Sequence, residues 1–151
     1  MVMTIDAQIK DMASVWPNFA LVGRQGATAA WQGAVRPLLQ TFLVDITYRA
    51  PLVIEQLSVR VLQPRVRVLS PPLRQRPGDP EGRLPHVYYG PNGEVTLCML
   101  DPDSDDWSPF DSLAQTTMPW IIEWLAAYEG WRATGEWTAS GRHIEPGGAG
   151  V

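Results

Sequence analysis

Apolar residues recur at Ile5, Ile9, Met12 and Ala13, the spacing of one face of a helix, and Thr4 or Asp6 stands where an N-cap belongs. A short amphipathic helix is predicted over 4–15, closed by Pro17. The period then falls to two. Segments 19–22 and 27–35, the latter around Trp31, are rich in β-branched and aromatic residues. Over 41–48, Phe42, Val44, Ile46 and Tyr48 alternate with Leu43, Asp45 and Thr47. Successive side chains of a strand point to opposite faces, so this is the pattern of a half-buried strand. Leu57, Val59 and Val61 alternate with Ser58 and Arg60 inside 52–62, and Arg65-Val66-Arg67-Val68 alternates again after Pro64. Three or four antiparallel strands are predicted to follow the helix.

Ser70-Pro71-Pro72 closes the strand region. Residues 74–85 hold three Pro, two Gly and five charged residues with almost nothing to bury, a composition that cannot offset the entropy of ordering, so a mobile loop or exposed insertion is predicted. From Phe110 the period turns helical. Asp111 or Ser112 caps a short turn, Pro119 suits the first turn of a new helix, and Trp120, Ile121, Trp124, Leu125 and Tyr128 form an apolar stripe that Gly130 or Gly135 stops. The tail 145–151, with Pro146 and three Gly, is predicted to be disordered.

Length and composition narrow the field. A chain of 151 residues suits one domain, read here as 1–144 plus the tail. One cysteine excludes an intramolecular disulfide and a zinc ribbon, which points to a reducing compartment. No apolar run approaches the roughly 20 residues that cross a bilayer, and the first ten residues contain Asp6 with no signal-peptide core behind it. A cytoplasmic protein with no membrane partner is expected. The net charge of −4, from 12 basic and 16 acidic residues, argues against broad nucleic-acid binding. Arg60, Arg65, Arg67, Arg74, Arg76 and Arg83 crowd the middle of the chain, and solvated strand faces and a loop account for them. Seven Trp are the odder number, since such rings often anchor contacts and a share of them are candidates to face a partner.

Cys98 lies in Gly93-Glu94-Val95-Thr96-Leu97-Cys98-Met99-Leu100. Taken alone, a cysteine between Leu and Met reads as an inert buried residue. Its surroundings point elsewhere: His86 lies twelve positions upstream, and the turn formers Gly90, Pro91, Asn92 and Gly93 fall between. A His, a hairpin-like turn and a Cys so spaced bring imidazole and thiol near one another, as nucleophilic thiol chemistry requires.

The stretches Val66-Arg67-Val68-Leu69-Ser70, Pro85-His86-Val87-Tyr88, Asn92 through Cys98-Met99-Leu100, and Trp107-Ser108-Pro109 together resemble the active-site region of ubiquitin-conjugating (E2) enzymes. The resemblance implies an α+β, UBC-like fold: an N-terminal helix, a four-stranded antiparallel meander, an extended active-site segment bearing the cysteine, and C-terminal helices. The closing pattern Met118-Pro119-Trp120, Trp124-Leu125, Tyr128-Glu129, Trp131, Thr134-Gly135-Glu136-Trp137 and His143 is similar to the bacterial E2-like proteins of CBASS antiphage operons. Together the matches span roughly residues 4–143. The implied activity is acyl transfer. The C-terminus of a cGAS/DncV-like nucleotidyltransferase is carried as a thioester on Cys98 and passed to a target lysine.

Eukaryotic members follow the active-site His with Pro-Asn and credit that Asn amide with stabilising the oxyanion or ordering the loop. Here Val87-Tyr88 follow His86. Asn92 replaces the amide only if the 90–93 turn folds back toward Cys98. His86 has two readings, structural support under the active-site segment, which is preferred, or contact with the reacting thioester. The 74–84 insertion, absent from compact E2 enzymes, is a candidate partner-contact loop. His143, beyond Trp131 and Trp137, is a candidate base for the incoming amine or a donor to the thioester carbonyl if the tail packs back. Two His and one Cys leave zinc without a fourth ligand, so neither metal nor cofactor is expected.

Asp101, Asp103, Asp105 and Asp106 lack the glycine and the distal Glu of a calcium loop. They read as a solvated acidic loop that opposes thiolate formation at Cys98, with one Asp available to orient an attacking amine. Trp107-Ser108-Pro109 is expected to anchor that loop in the core. With no glycine-rich nucleotide loop, activation falls to an E1-like protein or to an already primed donor. Two rival classes stand beside this reading: a non-catalytic E2-fold module that scaffolds the nucleotidyltransferase through its Trp-rich helix, and a Cys-based redox or hydrolytic domain, weakened by the lack of a resolving Cys.

Overall fold

Thr4 accepts a hydrogen bond from the Ala7 amide through its hydroxyl (3.1 Å) and starts helix α1 (Ile5–Val15). The computed structural model describes residues 2–51, 59–79, 82–99 and 106–137. Four strands follow α1: β1 (Ala20–Gln25), β2 (Thr28–Val35), β3 (Phe42–Arg49) and β4 (Arg65–Ser70). They form an antiparallel sheet in the order β1-β2-β3-β4. The alternation read from the sequence is the one the sheet uses. Phe42, Val44, Ile46 and Tyr48 are all buried, while Leu43 and Arg49 face outward. Register places Trp31 opposite Ile46 and Val35 opposite Phe42, so both central strands send apolar side chains into one core.

Val59–Leu62, predicted as part of a strand, is instead a single helical turn, α2; residues 52–58 of that prediction lie outside the described residues. The reason is topological. β4 occupies the free edge of β3 with Arg65 opposite Thr47, so the chain between them has to turn back rather than pair. Four alternating residues do not by themselves separate a strand from a turn, and here Leu62 is buried while Val61 is exposed.

Helix α3 (Thr117–Thr134) buries Ile121, Trp124, Leu125 and Tyr128 and ends at Gly135. That residue adopts the left-handed φ of 87° and donates its N–H to the Trp131 carbonyl (2.8 Å), a helix stop that favours glycine. Gly130 lies inside the helix. The predicted plural C-terminal helices reduce, among the described residues, to this one. Its Tyr128 ring meets Phe42 edge-on at 6.1 Å. The Glu129 carboxylate accepts the amides of Leu38, Leu39 and Gln40 at 3.1–3.2 Å, tying the β2–β3 connection to the helix. All seven tryptophans are buried or half-buried, so these rings build the interior, and Trp107 meets Tyr48 edge-on at 5.9 Å in the core.

Of the two readings offered for the segment after β4, a mobile loop or an exposed insertion, the described residues 74–79 are mostly exposed, and they are also tied to α3. Tyr128 accepts the Arg74 amide (2.7 Å), Arg76 Nε donates to the Trp131 carbonyl (3.0 Å), and Arg132 Nε donates to the Gln75 carbonyl (3.1 Å). Composition alone missed this because the stabilising partners come from α3. The architecture is a mixed α+β fold, as predicted. No helix among the described residues is long and apolar enough to cross a membrane.

Gln8 joins α1 to the approach to α3. Fully buried, it accepts the Leu113 amide (2.9 Å) and donates to the Asp111 carbonyl (2.9 Å). Gln8→Leu keeps the volume and orphans both groups, which costs about 2–4 kcal/mol. The expected drop in thermal midpoint is roughly 5–15 °C, read by calorimetry.

Candidate active site

The region around Cys98 is a hairpin of β5 (Val87–Tyr89) and β6 (Val95–Leu97). Gly90 donates to the Glu94 carbonyl (2.7 Å) and Gly93 to the Gly90 carbonyl (3.1 Å). Gly93, at φ 77°, holds the left-handed corner. Val87 faces Leu97, Tyr88 faces Thr96 and Tyr89 faces Val95. The hydrogen bonding continues one step further, since the Cys98 amide donates to the His86 carbonyl at 3.0 Å. Leu97 and Met99 are buried on either side, so the side-chain alternation of an extended segment turns Cys98 toward the opposite face, where it is partly exposed. Its thiol donates to the Tyr88 hydroxyl at 3.3 Å, the diagonal contact that this register produces.

His86 sits where the hairpin meets the core. Its φ of 54° is left-handed, uncommon outside glycine. The same carbonyl that receives Cys98 also receives the Trp124 indole N–H from α3 (3.0 Å). What joins His86 to Cys98 is therefore its main chain. The imidazole lies against the Trp137 ring, with centroids 4.9 Å apart, and burial lowers its pKa from 6.5 to about 4. Beside Tyr88 opens a cleft of ≈ 250 Å³ whose lining includes Gln63, Pro64, Arg65, Glu94 and Thr96.

Residues 8–144 match the family model described as Type II CBASS E2 protein. The chain belongs to this family. A comparison with curated proteins gave no match. The family match spans the hairpin, Cys98 and all of α3.

Within this E2 protein, the predicted site residues separate. Cys98 and His86 are neighbours across the hairpin. Asn92 stands in the turn at the far end of the hairpin, beyond Glu94, which is itself four residues or about 13 Å of extended strand from Cys98; the turn does not fold back. His143, Asp101, Asp103, Asp105 and the 145–151 tail lie outside the described residues, while Asp106 is exposed. Among the described residues no three His, Cys, Asp or Glu gather as a metal site would need. The arginines are spread over separate contacts: Arg67 pairs with Asp45 (3.0 Å), Arg76 holds α3, and Arg83 lies 5.3 Å over the Tyr89 ring.

Two residues of the site were not singled out from the sequence. Tyr88 is legible in retrospect, because a turn at 90–93 pairs 86 with 98 and sets 88 on Cys98's face. Trp124 is not, because nothing local announces which carbonyl its indole will reach.

The lowered His86 pKa has a consequence for stability. The unfolded chain takes up the proton near pH 6.5, the folded chain only near 4, so stability is full above about 6.5 and falls as pH drops toward 4. The loss is on the order of 2 kcal/mol. His86→Asn, which tolerates a left-handed φ, is expected to flatten this part of the profile in urea titrations at pH 7 and 4.5.

Proposed function

We propose that this CBASS E2 protein carries a protein C-terminus as a thioester on Cys98 and transfers it to a lysine amine of a target. The donor is the cGAS/DncV-like nucleotidyltransferase of its operon, and an E1-like protein or a primed donor supplies the activated carboxylate. The observation that carries the reading is the placement of Cys98: the chain's one cysteine, in an E2 family member, turned out of the core between buried Leu97 and Met99 on a hydrogen-bonded hairpin. Sulfur suits the task because it is both a good nucleophile and a good leaving group. His86 supports the reaction by fixing the Cys98 main chain through its carbonyl, and His143 is the candidate base for the incoming amine. A reducing cytoplasm keeps the sulfur in its thiol form. Most of the acceleration comes from positioning the two reactants.

Co-expression with the operon nucleotidyltransferase tests the reading on non-reducing gels. A thiol-sensitive adduct that depends on Cys98 is expected; its absence under all conditions overturns the proposal.

A further inference from the structure

We infer that the Tyr88 hydroxyl is a catalytic group of the Cys98 cycle, accepting the thiol in the resting site and donating to the carbonyl oxygen once an acyl group occupies the sulfur. The inference rests on the carrier reading and adds a residue which that reading does not use. Its ground is geometric. Hairpin register sets Tyr88 and Cys98 diagonally on one face, and the hydroxyl oxygen lies 3.3 Å from the sulfur. A hydroxyl offers one rotatable donor and two acceptor lone pairs, so it changes partner without moving its oxygen. The carbonyl oxygen of an acyl group bonded to Sγ lies next to the sulfur. A hydroxyl already touching the sulfur therefore needs only a small adjustment to reach the roughly 2.7–3.1 Å of an oxyanion donor. Tyr88 also lines the cleft bounded by Gln63, Pro64, Arg65 and Thr96.

In loading, the Cys98 thiolate attacks the carbonyl carbon of a thioester donor. The new C–S bond forms, the donor C–S bond breaks, and the departing thiolate takes up the proton that Cys98 released. In discharge, a primary amine adds to the same carbon, the bond to Cys98 breaks, and the proton lost by nitrogen returns to sulfur. Both steps pass through a tetrahedral oxyanion, and Tyr88 shares its proton with that oxygen in each.

Tyr88→Phe removes one oxygen and keeps the ring. The full chain is loaded with an N-acetylglycine thioester of mercaptoethanesulfonate, discharged with hydroxylamine and followed by intact mass, while iodoacetamide alkylation of Cys98, a displacement with no oxyanion, is measured beside it. The expected result is loading and discharge slowed roughly 10²-fold with alkylation within about threefold of the parent chain. Acyl steps unchanged overturn the assignment. Acyl steps and alkylation slowed alike also overturn it, since a residue that merely places the sulfur would act on both. No acylation of Cys98 in the parent chain overturns the carrier reading together with the assignment. Should Tyr88→Phe melt well below the parent, 3-fluorotyrosine at position 88, a stronger donor of nearly the same size, decides: faster discharge supports the role, and unchanged or slower discharge refutes it.

Discussion

Cys98→Ala is expected to abolish conjugation while leaving the fold in place. The side chain is small and partly exposed, so its truncation costs under about 1 kcal/mol, and the melting curve should overlay that of the parent. Activity is a different matter under the proposed transfer, which passes every step through the Cys98 sulfur, so a loss of at least about 10³-fold is expected. The other substitutions separate the chemistry. Cys98→Ser retains an attacking atom but makes a poor leaving group, so its adduct accumulates as an ester that withstands thiol reductants and yields to alkali. Cys98→Lys forms an amide that withstands both. Gel mobility before and after each treatment reads all three variants. Full antiphage protection by Cys98→Ala overturns the transfer mechanism in favour of the scaffold, and an unaltered adduct in it overturns Cys98 as the carrier.

The largest stability effect is expected at Trp124. Its ring is almost fully buried, stacked on Tyr128 at 5.8 Å and edge-on to Trp137 at 5.0 Å, and its indole N–H holds the His86 carbonyl. Trp124→Ala opens a cavity and orphans that carbonyl's link to α3, which costs about 3–5 kcal/mol; the thermal midpoint should fall by roughly 10–15 °C. Trp124→Phe keeps most of the volume and removes the hydrogen bond, for about 1 kcal/mol. It should nonetheless slow Cys98 loading, because the carbonyl it releases is the one that anchors the Cys98 amide. Calorimetry and loading rates together test this; a Trp124→Phe chain that loads at the parental rate would show that α3 does not brace the site.

Much of this architecture was readable along the chain because its signals are local. Thr4 caps α1 within one turn, the alternation from Phe42 to Tyr48 assigns a face to each residue of β3, and the Trp120-to-Tyr128 stripe marks the buried side of α3. The partial exposure of Cys98 was not among them: between Leu and Met it reads as buried, and the hairpin ladder sets it on the face opposite buried Leu97 and Met99. The errors share one origin. The turn at Val59–Leu62 was read as a strand because pairing is decided by which edge β4 occupies, and the ties of the exposed arginine-rich arm to α3 went unread because its hydrogen-bond partners sit on a helix more than fifty positions away.

The sequence by itself determined most of the elements, the hairpin around Gly90–Gly93 in outline, the single cysteine and the resemblance to E2 proteins, since periodicity, turn residues and motif spacing are properties of neighbours. Tertiary structure alone decided the long-range ties: Trp124 reaching the His86 carbonyl 38 residues away, which braces the Cys98 hairpin, Gln8 bridging to Leu113 across 105, and Tyr128 catching the arm at Arg74. Such contacts depend on how the elements pack over one core, and no local spacing encodes them.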